Sequence, residues 1–432
     1  MIRSSMSVPR AAALGIGSMV GAGIFALLGE VTALAGGATI AAFVAGGIIA
    51  LLSGYSYGRL GGRFPASGGP IEYLTQAYGP GTASGAISVF YLAAGTIGMA
   101  LVARAFGSYA TRLIVGEGAA SWWPGVFATA LVVVLTLVNS AGTGLIARTE
   151  LAIVASKLLV LAAFVIAGAV RLDSSTLTSH PATSTGSIFG GIAVAFFAYT
   201  GFGVISNAAA DLPDPHRDLP RALFIAVGVV IVLYVAIVVA VFGNLTSPAI
   251  VGARETALAE AARPVFGSAG FAVMAVAAML STASSVNANL FGVTNVAYAL
   301  AKYGELPGAF GRHLWHRATE GLVMVSAAVI LMATFLDVSA LAGLASSAVL
   351  IVYLAVNAGH LRLLGETGAS RPLVVLATLT SASAIVLFVV HAAVSDVATL
   401  ISLGAALLGA FVAELALQRV RSGHIRTQLP RP

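Results

Sequence analysis

Five glycines in the first apolar stretch of this chain are the first residues whose type and spacing could support a chemical function. The run GIGSMVGAGIFALLGE extends from Gly15 to Glu30. Glycine in a helix interior costs about 1 kcal/mol relative to alanine, so a helix here is weakest at Gly21-Ala22-Gly23. Unwinding would free backbone groups, which a membrane interior tolerates only where they line a cavity or bind something. The amides of the second half-helix suit a carboxylate, and the freed carbonyls suit an ammonium group or a cation.

These glycines could also belong to a nucleotide-binding loop or to a helix-packing face. The run imitates a nucleotide-binding loop, but such a loop needs a preceding strand, a following helix and an acidic residue about 20 positions on. Arg10 precedes the run and Glu30 follows too closely. Gly17 and Gly21 could also form a small-residue face against a neighbouring helix. Such packing is compatible with a break but does not explain Gly23.

A second interrupted apolar stretch supports the break. The run FFAYTGFG, Phe196 to Gly203, carries Gly201 and Gly203 in the middle of the sixth predicted membrane span. Glycine-interrupted spans in matching positions of two inverted halves point to a binding site near the membrane midplane. Tyr199, beside this break, could bind a ligand or simply pack in the core.

A lysine and a hydroxyl cluster are the remaining chemical candidates. Lys157 lies inside the fifth predicted span, where a charged lysine costs at least about 2.5–3.5 kcal/mol unless it snorkels to the interface. A buried lysine loses its proton readily and can therefore load and release one. Ser281, Thr282 and Ser285 share a face of the eighth span, where they could coordinate a cation or its substitute, or bond their own backbone.

The composition shows which kind of protein must position these residues. The chain has 432 residues, of which 59% are hydrophobic and 9% are charged. Soluble domains carry about 25% charged residues, so the composition predicts an all-α integral membrane protein in the lipid bilayer. The net charge of +6 reflects the positive-inside bias rather than a nucleic-acid partner. The absence of cysteine excludes disulfides, thiol catalysis and thiolate metal sites.

Twelve membrane spans are predicted from apolar runs of about 20 residues. Their bounds are 11–34, 37–58, 84–111, 122–140, 149–170, 186–210, 222–243, 267–299, 320–337, 339–359, 372–391 and 395–418. With a cytoplasmic N-terminus, the outer loops and span ends hold only Arg112, Arg171, Arg254 and Arg263. Most other Lys and Arg residues then lie on the cytoplasmic side, which predicts that both termini are cytoplasmic.

The two breaks divide the chain into repeats within a single transporter-like domain. They lie five spans apart, and an odd number of spans inverts the second unit relative to the first. We expect a first repeat at 11–170, an inverted second repeat at 186–363 and two additional helices at 371–418.

Five stretches together resemble the amino acid–polyamine–organocation superfamily, in its bacterial amino acid permease branch, over nearly the whole chain. They are GIGSMVGAGIF in span one, ASGGPIEYLTQAYGP before span three, SKLLVL in span five, FFAYTGFGVISNAAADLPDPHRDLPRA around span six and STASSVNANLFGVTNVAYALAKYGELP through span eight. The resemblance implies a five-plus-five inverted-repeat, LeuT-like fold with broken helices 1 and 6, in the cytoplasmic membrane.

The resemblance also implies roles for particular residues. Backbone groups of both breaks would bind the carboxylate and amino ends of an amino acid: Met19, Val20, Gly21, Ala22, Gly23, Phe197, Ala198, Tyr199 and Gly201. Lys157 matches the family's span-five lysine, whose amine takes the place of sodium in proton-coupled members. Its partners would be Gly17, Ser18, Ser281 and Thr282.

Departures from the family pattern bear on the substrate. Relatives often have an acidic residue where this chain has Gly203, paired acids at Ala210-Asp211 and an arginine at Asn295. The missing acid near the site disfavours a cationic substrate, so a neutral, fairly apolar amino acid is expected.

The expected function is secondary active transport by alternating access, coupled to a proton, without a cofactor or metal. An exchanger, an exporter or a polyamine carrier of the same superfamily is the alternative, and the oligomeric state stays open. A channel would need a continuous polar pore, whereas the polar residues concentrate near one site. A membrane-embedded enzyme would need clustered acids, histidines or a metal site, and the spans show no such pattern.

Overall fold

The computed structural model describes residues 6–65, 69–79, 81–141, 146–181, 183–302, 313–315 and 318–428. Parts of two motif stretches, at 66–68, 80 and 303–307, lie outside the described residues. The described chain is helical almost throughout. Two short strands, β1 (His313–Trp315) and β2 (Ala318–Thr319), pair antiparallel.

The α-helices are numbered in chain order within the described residues. The first nine are α1 (Val8–Ala22), α2 (Ile24–Ala35), α3 (Thr39–Arg63), α4 (Pro70–Tyr78), α5 (Thr82–Ile114), α6 (Trp123–Ala141), α7 (Ile146–Val170), α8 (Ser174–Thr178) and α9 (Thr185–Phe197). The others are α10 (Gly203–Asn207), α11 (Pro215–Phe242), α12 (Ser247–Ala253), α13 (Ala257–Lys302), α14 (Glu320–Phe335), α15 (Val338–His360), α16 (Leu364–Thr367), α17 (Arg371–Ser395) and α18 (Val397–Gln428). Short 3₁₀ turns lie at Thr200–Phe202, Ala209–Asp211 and Arg254–Thr256.

The prediction of an all-α membrane protein is confirmed. Ten helices of the described chain are long and apolar enough to cross a membrane, and α1 with α2 makes an eleventh span if the bent pair is counted as one. The ninth predicted span, 320–337, coincides with α14, which has 16 residues and is not among these eleven. Because a span needs about 20 residues, the count of twelve stays a prediction.

The core lies around α5 and α11, which pack against most other long helices. α5 contacts α6, α13, α15 and α18, and α11 contacts α1 and α3. Close approach depends on glycine: a methyl group at Gly107 of α5 would lie 1.9 Å from the Pro124 carbonyl oxygen of α6. Small residues of this kind bring membrane helices into backbone contact.

The eighth predicted span begins where α13 changes direction. Gly267 interrupts the helix with φ +70° and ψ −161°. Glycine adopts this conformation without the steric cost of a Cβ atom. The kink therefore lies at the residue where the eighth predicted span begins, and α13 extends on the other side of it back to Ala257.

The two C-terminal spans pack on the rest of the bundle. α17 contacts α3, α9 and α15, and α18 contacts α5 and α15. The buried amide of Asn357 in α15 donates to the hydroxyls of Ser53 in α3 and Ser381 in α17, each at 3.1 Å. The predicted repeat boundaries stay a prediction.

Candidate functional site

The first interruption is a bend at one residue. α1 ends at Ala22, α2 begins at Ile24, and the two helices meet at 53°. Gly23 has φ −91° and ψ −84°, outside the helical region. Its amide still donates to the Met19 carbonyl at 2.9 Å, and its carbonyl accepts from Ala26 and Leu27. The break therefore removes less helical hydrogen bonding than the glycine pattern predicts.

The break is also shorter than expected. Gly21 and Ala22 keep helical backbone at the end of α1, and the departure is confined to Gly23. The first two amides of α2 belong to Ile24 and Phe25 and precede the first bond of that helix, which Ala26 donates. These amides and the positive end of α2 lie at the bend, where the Ile24 amide faces the Tyr234 hydroxyl.

The second interruption is a tightened stretch rather than a large bend. α9 ends at Phe197, a 3₁₀ turn covers Thr200–Phe202, and α10 resumes at Gly203. The amides of Ala198 and Tyr199 donate to carbonyls three residues back, at 3.1 Å and 3.0 Å. Short 3₁₀ stretches within a longer helix often mark functional hinges.

The two interruptions lie against each other. A methyl group at Gly201 would lie 2.5 Å from the amide nitrogen of Met19 and 2.7 Å from the carbonyl carbon of Ser18. The absence of a side chain at Gly201 thus allows backbone contact between the first and sixth spans. The structure brings together two stretches that the sequence separates by about half the chain.

Tyr234 of α11 joins both interruptions through one hydroxyl. Its oxygen lies 2.8 Å from the Met19 carbonyl and 3.1 Å from the Ala198 carbonyl. A methyl group at Gly23 would lie 2.3 Å from this hydroxyl, so only glycine leaves room for it. Because a hydroxyl has one proton, the two carbonyls share a single donor. A small shift of either span would change which carbonyl receives it.

Other groups of the sixth span contact helices other than α1. The Tyr199 hydroxyl donates to the Phe43 carbonyl of α3 at 2.9 Å, which is the packing role left open for it. The Tyr353 hydroxyl of α15 lies 3.3 Å from the Thr200 carbonyl. Phe197 is buried against Gly98 of α5. Neighbouring helices therefore hold this interruption on several sides.

Lys157 reaches the first span from α7. Its side chain is buried, and Nζ donates to the Gly17 carbonyl at 2.6 Å. A methyl group at Gly21 would lie 3.4 Å from the same Nζ, so the amine lies against the last turn and a half of α1. The lysine is therefore packed inside the protein and does not snorkel to the interface.

The hydroxyl cluster of α13 is only partly directed at this amine. Ser281, Thr282 and Ser285 are all buried. Thr282 donates to the Ala278 carbonyl of its own helix at 2.7 Å, so its hydroxyl has a local partner. The Ser281 hydroxyl has no hydrogen-bond partner among the described residues. The Ser281 carbonyl lies beside Gly21, which places this part of α13 next to the lysine.

The predicted residues thus form two adjoining groups. The first group joins the two interruptions: Ser18, Met19 and Gly23 of the first span with Ala198 and Gly201 of the sixth. The second group surrounds the lysine amine: Lys157 with Gly17, Gly21 and the backbone of Ser281. Val20 is fully buried, and the Ala22 side chain lies outside the described residues. Within the described part of the chain, no three His, Asp or Glu side chains lie close enough to hold a metal ion.

Sequence reasoning missed Tyr234. The signal for it was present, because Tyr234 is the only residue with a side-chain hydrogen-bonding group in the aliphatic run Ala226–Phe242. A tyrosine in such a run needs a partner for its hydroxyl. Hydropathy alone could not indicate that the partner would be the backbone of two other spans.

The sequence of this chain is similar to those of known membrane transport proteins. A sequence profile of the amino acid permease family matches residues 6–412. The inner membrane transport protein YbaT of Escherichia coli (strain K12) is 37% identical over 376 residues, which cover 87% of this chain and 87% of that protein. An uncharacterized protein of Methanocaldococcus jannaschii is 32% identical over 417 residues, covering 96% and 95% of the two chains.

A more distant relative has a named transport activity. The serine/threonine exchanger SteT of Bacillus subtilis (strain 168) is 27% identical over 299 residues, which cover 68% of this chain and 67% of that protein. The resemblance that the five motif stretches indicate is confirmed by these matches. Together with the helical fold and the two interrupted spans in contact, they show that the chain belongs to the amino acid permease family, as a multi-pass membrane transporter.

Proposed function

We propose that this chain is a secondary transporter that moves a neutral, fairly apolar amino acid across the cytoplasmic membrane by alternating access, coupled to a proton. The observation that carries the proposal is the 2.6 Å hydrogen bond from Lys157 Nζ to the Gly17 carbonyl. It joins a buried titratable amine to the helix that bends at Gly23. A change in the protonation of Lys157 would therefore act directly on the first span.

The substrate site of this proposal lies at the two interruptions. The amide of Phe25 would bind the carboxylate of the amino acid, aided by the positive end of α2. The Ile24 amide would join it by leaving the Tyr234 hydroxyl. The carbonyls around Met19 and Phe197–Gly201 would bind its ammonium group. Tyr234 now donates to two of these carbonyls, and each carbonyl oxygen has a second lone pair for the substrate.

The preference for a neutral substrate rests on the side chains around the bend. Met19, Val20 and Phe197 are apolar and buried. The nearby charge is that of Lys157, which would repel a cationic side chain. We therefore expect an uncharged substrate side chain to be favoured.

Alternating access requires the first span to move relative to its neighbours. A protonated Lys157 donates to the Gly17 carbonyl and holds α1 against α7 and α13. A neutral amine is a poorer donor, so its deprotonation would loosen α1 on its side of the bend. The proposed orientation has both termini in the cytoplasm, and the proposed halves are the inverted repeats 11–170 and 186–363.

Uptake by purified protein in liposomes with an imposed pH gradient tests the proposal. We expect saturable accumulation of radiolabelled neutral amino acids, with Lys157→Ala losing gradient-driven accumulation. If no member of a broad amino acid panel shows saturable flux, the substrate class is wrong. If Lys157→Ala accumulates substrate as the unmodified protein does, the coupling role is wrong.

Obligatory exchange is the second candidate, and the similarity to a serine/threonine exchanger favours testing it. The same liposomes distinguish the two modes. An exchanger needs an amino acid inside the liposome, whereas a proton-coupled carrier fills empty liposomes when a pH gradient is present.

A further inference from the structure

A group of charged side chains lies at the end of α2, away from the bend and from Lys157. Glu30 of α2 is 6% exposed. Around it lie Arg254 and Glu255 of the 3₁₀ turn that follows α12, and Asp337, which precedes α15. Arg104 of α5 faces Glu255 and Asp337. We call these five residues the α2-end cluster.

The turn that carries Arg254 and Glu255 is docked closely on α2. A methyl group at Gly29 would lie 2.1 Å from the Arg254 carbonyl oxygen, so the contact depends on glycine. Arg254 has φ +46°, the only positive φ of a non-glycine residue among the described residues. Such a conformation costs about 1–3 kcal/mol and persists only when surrounding contacts hold it. Docking thus holds a strained turn over Glu30.

The charges of the α2-end cluster do not balance. Three carboxyl groups face two guanidinium groups, which leaves one formal negative charge in excess. Asp337 is exposed and accepts from the Ala340 amide, so the excess bears on the more buried Glu30 and Glu255. Arg104 is already engaged with backbone, since its Nη1 donates to the Ala333 carbonyl at 3.0 Å. Arg254 is largely exposed. None of the ion pairs found among the described residues includes Glu30.

Glu30 is the carboxyl group that suits a bound proton best. It is the most buried of the three, and an ionised carboxylate without a partner is costly inside a protein in a membrane. Two neighbouring carboxylates oppose its ionisation further.

A cavity beside the turn borders the cluster at Arg254 and Glu255. This cavity of about 240 Å³ is lined by Arg112, Arg254, Glu255 and Thr256, among other residues. Glu255, half-buried at the wall of this cavity, is the neighbour of Glu30 in the cluster. The proposed orientation makes this the outer side of the membrane.

We propose that Glu30 is a proton-binding site of this transporter, and that its protonation favours docking of the Arg254–Thr256 turn on α2. A proton from water binds the Glu30 carboxylate, the cluster becomes neutral, and the turn closes over it. Loss of the proton restores the negative charge, which favours an undocked turn and a hydrated Glu30. The role of this site rests on the proposed proton-coupled transport. Docking of the turn on α2 can nevertheless be measured without measuring amino acid flux.

The chain contains no cysteine, so a single reporter thiol can be placed without removing others. Thr256→Cys lies in the docked turn, where the native side chain is buried. Gly252→Cys lies in the preceding exposed helix, where a methyl group would meet nothing within 4 Å. The ratio of their labelling rates by a maleimide, measured on purified protein in detergent, corrects for ionisation of the thiol itself.

We expect this ratio to rise with pH, by up to about ten-fold per pH unit when one proton is linked to docking. Glu30→Gln imitates the protonated carboxyl, so the ratio should stay low and flat, whereas Glu30→Asp should keep the pH dependence. An unchanged pH dependence in Glu30→Gln, or a flat ratio with Glu30 present, would overturn the proposal.

Glu255→Gln supplies a second test if Glu30→Gln does not fold. Removing a neighbouring negative charge should let Glu30 ionise at lower pH, so the rise in labelling should move to lower pH. An unshifted rise or its loss would mean that Glu30 is not the proton site. If no amino acid flux were detected, the proposed function would be wrong, and the labelling result would still stand.

Discussion

The hydroxyl of Tyr234 lies 2.8 Å from the carbonyl oxygen of Met19, although 215 residues separate the two in the chain. The same hydroxyl reaches the Ala198 carbonyl at 3.1 Å. One side chain of the seventh span therefore links the interruptions of the first and the sixth. Movement of either span must lengthen one of these bonds, so Tyr234 couples the positions of the two halves of the site.

Removing this hydroxyl should impair transport more than folding. Tyr234→Phe keeps the ring packing and leaves the Ala198 carbonyl without this donor, which costs about 1–3 kcal/mol for a buried group. We expect a loss of initial uptake rate in liposomes with a modest fall in melting temperature. Tyr55→Phe is the matched control, because the Tyr55 hydroxyl accepts a bond from the Ser370 amide far from the site. An uptake rate in Tyr234→Phe equal to that of the control would contradict this role.

A methyl group at the contact between the two interrupted spans should abolish activity. Gly201→Ala places a Cβ atom 2.5 Å from the Met19 amide nitrogen, so the backbones have to separate. We expect a destabilisation of about 1–3 kcal/mol and no measurable uptake. Gly228→Ala in α11 is the control, because nothing lies within 4 Å of its added methyl group. It should stabilise the helix by about 0.5–1 kcal/mol, and active Gly201→Ala protein would refute the close contact.

Fixing the positive charge at Lys157 should separate binding from coupling. Arginine stays protonated under all relevant conditions, so Lys157→Arg cannot release a proton. We expect gradient-driven accumulation to disappear while equilibrium binding of substrate, measured by scintillation proximity, persists. Lys157→Gln provides the uncharged comparison. Accumulation by Lys157→Arg at the unmodified rate would show that the lysine does not need to lose its proton.

The polar junction between α3, α15 and α17 should matter for stability rather than transport. Asn357→Ala removes the donor to Ser53 and Ser381. Inter-helical hydrogen bonds in membrane proteins contribute about 0.6 kcal/mol on average and at most about 1.7 kcal/mol. We therefore expect a small fall in melting temperature and normal uptake per folded molecule. Ser381→Ala should have a smaller effect, because the Ser381 hydroxyl also bonds the Ala377 carbonyl of its own helix.

Several parts of this molecule follow from the sequence alone. Low charge and recurrent apolar runs predict a helical membrane protein, because hydropathy over about 20 residues depends only on local composition. The glycines of the first and sixth spans mark both interruptions, since a glycine weakens its own helix wherever it lies. Lys157 was a candidate because its position within its span can also be read from the sequence.

The tertiary structure decided which groups of those residues meet. It confines the first break to Gly23, although the pattern covers Gly21 to Gly23. Gly21 stays helical where Ser281, Ser285 and Lys157 pack against it. The tertiary structure directs the Thr282 hydroxyl to its own backbone and the Lys157 amine to Gly17. The roles of Tyr234 and Glu30 depend on partners from distant parts of the chain, and a contact of that kind leaves no local signal in hydropathy or helix propensity.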